Sequence, residues 1–185
     1  MKKLIAVLLV LAMMVMTTAV FAEAVGSKTA EDIAGVEILE IEGNENANIV
    51  IEIVEPDEDV AALQTAIAEA IAAGDLSTVL PEDILAAIPA EYLSAENLAD
   101  NLKEMVALKA TGDGEGVTSV TFGMELETPY EEGAELCVAF NVISSGEWML
   151  KAAEVKEGKV VITLNAEELE KILNKGQIAT LVFNK

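Results

Sequence analysis

The sequence predicts a mainly β protein, a seven-stranded β-sandwich with a helical insertion between its second and third strands. Two stretches, 36–55 and 117–183, carry the β-branched, alternating pattern of half-buried strands. Between them the apolar spacing switches to that of helices. An α+β sheet covered on one face by helices is the other architecture this order allows.

Each element has its own signals. VEILEIEG from Val36 and NIVIEIVE from Asn48 flank the polar turn GNENAN, so 35–55 reads as an antiparallel hairpin. Pro56 opens a helical insertion over 56–112. Val60, Leu63, Ile67 and Ile71 share a helix face, Asp57 or Asp59 caps its start, and Gly74 ends it. LPEDILAA and IPAEYLSA follow as an internal echo. Each copy sets Pro at the first position of a helical turn, where no N–H is needed. A third helix is predicted after Ser94, with Leu98, Leu102, Met105 and Val106 on one side and Gly112 beyond its end.

The period of two returns in 117–185. Val120, Phe122, Met124 and Leu126 form one strand, and Leu136, Val138, Phe140 and Val142 the next, with Cys137, Ala139 and Asn141 opposite. Trp148, Leu150 and Ala152 lie in phase on a third, KEGK makes a hairpin turn into KVVITL, and QIATLVF is last. Asn165 and Glu168 are spaced as a capping box for a short helix carrying Leu169, Ile172 and Leu173.

The first 22 residues read as an export signal. Lys2 and Lys3 precede the apolar run LIAVLLVLAMMVM, and Val20 and Ala22 stand at the −3 and −1 positions of a cut after Ala22, with a second cut open after Ala24. The expected organisation is therefore signal 1–22, flexible lead 23–34 and a single domain 35–185. A secreted or envelope location follows, with no stable membrane insertion once the signal is removed.

Composition excludes more than it suggests. The 185 residues hold 33 acids against 11 Lys, with no His and no Arg, for a net charge of −22. That removes Ser-His-Asp and Cys-His machinery, His metal ligands and guanidinium clamps. A field of this sign also repels nucleic acid, whose affinity comes from neutralised phosphates. One Cys allows no internal disulfide, and Cys137 in an apolar strand reads as a small buried hydrophobe.

Within the C-terminal half, GEWMLKAAEVKEGKVVITLNAEELEKILNKGQIATLVF places a Trp-bearing strand, a hairpin and a short helix before a final strand. The stretch from Val117 to Phe183 resembles the immunoglobulin-like domains of secreted and surface-exposed Gram-positive bacterial proteins. The resemblance implies an immunoglobulin-like sandwich and an extracellular binding or spacer role. The tyrosine corner and the paired cysteines of such domains are missing from this chain.

Three kinds of site are compatible with these residues. Calcium, a hard cation bound by several oxygens, suits Glu55, Asp57, Glu58 and Asp59 around Pro56, and Asp113 with Glu115 in GDGEG. Helix capping and a linker explain the same acids without metal. Trp148, Tyr92 and Tyr130 are the aromatics available to hold a glycan or protein, with Trp148 in phase with core residues and the two Tyr in exposed turns. A carboxylate pair for glycoside hydrolysis is the remaining option, short of the aromatic platforms such enzymes use. The expectation is a secreted, non-enzymatic, acidic protein that binds a protein or glycan at the cell surface or joins a surface assembly. A calcium-stabilised structural module is the alternative.

Overall fold

A computed structural model describes residues 35–93, 98–126 and 128–184. The predicted signal 1–22, the lead 23–34 and the predicted start of the third helix after Ser94 lie outside the described residues.

All the strands belong to one antiparallel sheet. They are β1 (Gly35–Glu42), β2 (Ile49–Val54), β3 (Leu102–Gly112), β4 (Ser119–Glu125), β5 (Glu135–Val142), β6 (Glu147–Lys156), β7 (Lys159–Asn165) and β8 (Gln177–Phe183). The helices are α1 (Glu58–Ala73), α2 (Glu82–Ala87), the single turn α3 (Leu98–Asn101) and α4 (Ala166–Ile172). The sheet order is β1-β4-β7-β6-β5-β8-β3-β2. Its two edge strands, β1 and β2, come within 8 Å of each other without pairing. The sheet thus curls into a near-barrel.

This architecture corrects the sandwich. Among the described residues there are eight strands, not seven, and one curled sheet rather than two packed ones. The expected 35–55 hairpin does not form either: β1 pairs with β4 and β2 with β3. The added strand is β3, which occupies the place of the predicted third helix. Val106, Leu108 and Ala110 point into the barrel, and Leu102 and Met105 point out under the helices. A strand buried on both faces shows no alternation, and its Leu and Met spacing imitates a helix.

Two cores result. The barrel interior is filled by Phe122, Met124, Val138, Phe140, Ile162, Leu164 and Ile178, with Leu169 and Ile172 of α4 packed against them. A second cluster lies outside the sheet, where Ile67, Ile71, Leu76, Leu80, Ile84 and Tyr92 cover Cys137, Ala139, Leu181 and Phe183. Local signals fix the covering layer. Asp57 Oδ1 accepts the Val60 N–H at 3.0 Å, and Gly74 closes α1 in the left-handed conformation. Gln177 ties this start to β8, accepting the Asp57 N–H at 2.8 Å and donating to the Glu55 carbonyl at 2.9 Å. Pro81 stands at the cap of α2, one place before the predicted first position. The second Pro copy forms only a turn, closed by Tyr92 N–H to the Pro89 carbonyl.

The barrel wall is incomplete between β6 and β7. Glu157 and Gly158, both at positive φ, make the two-residue turn, and the ladder then runs only through Lys156↔Lys159, Val155↔Val160 and Glu154↔Val161. Residues 147–153 of β6 have no β7 partner, although β5 pairs with all of them. At the far end α4 bridges this open seam: Lys151 Nζ lies 2.8 Å from Glu168 Oε2, and Lys171 Nζ lies 2.6 Å from Glu147 Oε1.

Candidate functional site

An open groove of about 920 Å³ runs from the helical layer along β6 into that seam. Ala87, Pro89 and Tyr92 form one bank, Glu135 and Cys137 the end of β5, and Leu150–Glu154 the floor. Val161 and Thr163 stand across the seam. The groove's charge is mostly carboxylate: Glu91, Glu135 and Glu154 line it together with Lys151 and Lys156. Both ammoniums already have partners, Lys151 on Glu168 and Lys156 on Glu154 at 2.8 Å.

Backbone alternation decides what the seam offers. In a two-residue hairpin the flanking residues form a hydrogen-bonded pair, and every second residue thereafter directs its N–H and C=O to the same neighbour. Lys156 and Glu154 therefore address β7, and Ala152 and Leu150, in the same phase, address the open seam. Val155, in the opposite phase, bonds the other way, to the Ala134 carbonyl and the Gly133 N–H. Thr163 continues the same phase on the β7 side.

The structure brings one predicted aromatic to this groove and leaves two elsewhere. Tyr92 is 5% exposed, not an open turn residue, and its hydroxyl donates to the Glu135 carbonyl at 3.1 Å. Trp148 is partly buried and packs, with Leu150, on the second cluster beneath the helices. Tyr130 is partly buried too, packed on the barrel interior in the β4–β5 connection. Cys137 is buried as expected, and burial pushes its thiol up to about 11. It is a hydrophobe with little thiolate at neutral pH.

Two acidic loops were candidates for calcium. Asp57 caps α1, and Asp113 Oδ1 accepts the Glu115 N–H at 3.0 Å in a tight turn. Glu58 and Asp59 are exposed in the first turn of α1, and Glu55 contributes its carbonyl to Gln177. Register separates the two loops: Gln177, which holds the first, pairs with Lys109, four residues before Asp113. At 3.3 Å per residue they are roughly 13 Å apart along β3, too far to share one ion. Among the described residues no three acids or thiols are grouped to hold a metal.

The sequence did not reveal a polar group inside the barrel. Glu104 is fully buried and pairs with Val182, whose side chain faces inward. Thr180 is its diagonal neighbour on β8, and Tyr130 is close enough to feel the carboxylate. Burial first, and Glu104 second, push the Tyr130 phenol far above its ordinary value, so the buried hydroxyl keeps its proton. The clue in the sequence is Glu104 standing between Leu102 and the apolar run from Met105 to Leu108.

Comparison with protein-family models, with curated proteins and with solved structures finds no match.

Proposed function

We propose that this chain is an exported, non-catalytic binding module whose groove along β6 receives a protein partner at the cell surface. The observation that carries this reading is the open seam: a sheet interrupted beside a groove, with backbone donors and acceptors directed into it. Buried sheet edges are normally paired or covered, and an accessible one invites a partner. The composition supports the non-catalytic part, since there is no His or Arg and the groove's lysines are ion-paired. The leader pattern supports export.

Photo-crosslinking tests the reading. A photoreactive residue is placed at Pro89, on the groove bank, and in a second protein at Glu52, exposed on the outer face of β2 and outside the groove lining. Incubated with intact cell-surface material, the Pro89 probe is expected to give a discrete adduct and the Glu52 probe none. Adducts at Glu52 alone, at both positions alike, or at neither position, overturn the assignment.

A further inference from the structure

We infer that the occupant of the groove is an extended, Lys- or Arg-bearing peptide segment that adds a strand to β6 within the open seam. This rests on the binding reading above and names the partner's chemistry. Backbone groups of Leu150 and Ala152 point into the seam from β6, with those of Thr163 opposite. Such a row is satisfied along its length by another extended backbone, and a globular surface or a sugar does not repeat at the strand's 6.6–6.8 Å two-residue spacing. The side chains leave space for it. Ala152 and Ala153 are small, and Val161 and Thr163 on the far side are short. On the outer face the incoming strand meets Leu150 and Tyr92, so it presents apolar residues there.

Charge selects among extended peptides. In the groove lining Lys156 and Glu154 neutralise each other, and Lys151 is neutralised by Glu168. The lining stays net acidic through Glu91 and Glu135, on a chain of net charge −22. An acidic strand is repelled on approach and a basic one is steered in. The far end of the seam sets the length. The Lys151–Glu168 and Glu147–Lys171 bridges from α4 close the inner side of the seam, Lys151 being in phase with the inward-facing Met149 and Ala153. The added strand is therefore short, lies along the outer side and pairs chiefly with Leu150 and Ala152.

Amide hydrogen exchange on the full chain tests this directly, with the capped hexapeptide of alternating Lys and Val as probe and its Glu-Val counterpart as control. The Lys-Val peptide is expected to slow exchange at Leu150 and Ala152 by about tenfold or more, with the Glu-Val peptide giving no protection. The variant Ala152→Pro, which removes a seam-facing N–H, is expected to abolish binding, and Ala152→Ser to retain it. If Ala152→Pro does not fold, Thr163→Pro makes the same test from the β7 side. Equal protection by both peptides, protection by neither, or undiminished binding to the Pro variant overturns the strand assignment. A groove adduct in the crosslinking experiment without seam protection would retain the binding reading and reject only the peptide strand.

Discussion

The sheet fails to close in two places, and they are built differently. At the β1–β2 edge neither strand pairs with the other, and their exposed positions carry Glu37, Glu40, Glu42 and Glu52 together with Leu39 and Val50. Facing acids repel an incoming strand as they repel each other. The connecting loops then lock this edge at one end: Asn44 Nδ2 donates to the Glu115 carbonyl, and Thr118 N–H to the Glu42 carbonyl. The β6–β7 seam has Leu150, Ala152 and Thr163 where the other edge has Glu, and it is tied by side chains from a helix. One opening is guarded by charge and fixed by backbone. The other is small-sided and held by two side-chain ion pairs, and the proposed binding site lies there.

The largest expected effect lies at the fixed edge. A Cβ at Gly112 would fall 1.9 Å from the Asn48 carbonyl oxygen, and its φ of 132° is one that side-chain-bearing residues rarely adopt. Gly112→Ala is expected to destabilise by about 3 kcal/mol in denaturant unfolding. Gly43→Ala is the companion, with a Cβ 2.4 Å from the Gly116 carbonyl oxygen. A loss under about 0.5 kcal/mol in both would show that this edge is not fixed by close backbone contact.

The bridge across the other seam should matter less. Burial raises the Glu168 carboxyl, but hydrogen bonds from Lys151 and from the Asn165 N–H outweigh it, and the net value lies below the usual carboxylate range. A lowered folded value means the stabilisation is complete above the unfolded carboxyl's pKa of about 4.3 and is lost as pH falls through the folded value. Glu168→Ala also removes half of the capping box, and about 1 kcal/mol is expected at neutral pH, shrinking below pH 4. A loss that stays constant down to pH 2 would contradict the ion pair's part in it.

How much of this was legible depended on whether a strand had one buried face or two. β4 and β5 were read correctly because Val120, Phe122 and Met124, like Leu136, Val138 and Phe140, recur every second residue on the barrel side. The Gly74 stop and the Asn165–Glu168 box were equally clear, being local hydrogen-bond chemistry, while the α1 cap was left between Asp57 and Asp59 and the structure places it at Asp57. β3 was misread because a helical layer covers its outer face, so both sets of side chains are apolar. The pairing of β1 with β4 joins residues about 80 positions apart, and nothing in either strand encodes its partner. The groove was invisible for the same reason: it depends on where a ladder stops.

Salt provides a smaller test. Screening should ease repulsion along the acidic β1–β2 edge, so sodium chloride and calcium chloride at matched ionic strength are expected to raise the melting temperature alike, by a few degrees. A rise specific to calcium, removed by chelator, would reinstate the 55–59 or 113–115 loop as an ion site. The smallest effect belongs to Leu39 and Val50, large hydrophobics exposed on the two edge strands at 46% and 44%. Leu39→Lys and Val50→Lys are expected to change stability by no more than about 0.5 kcal/mol, as read by chemical denaturation.

The position of β8 bears on how the chain matures. It follows every other strand in the chain, yet it lies between β5 and β3 in the sheet. Until residues 177–183 are available, the sheet exists only as two groups, β1-β4-β7-β6-β5 and β3-β2, with no hydrogen-bonded ladder between them. Closure of the sheet therefore waits for a pairing between β3 and β8 that joins residues about 70–80 positions apart, a slow, non-local step in folding.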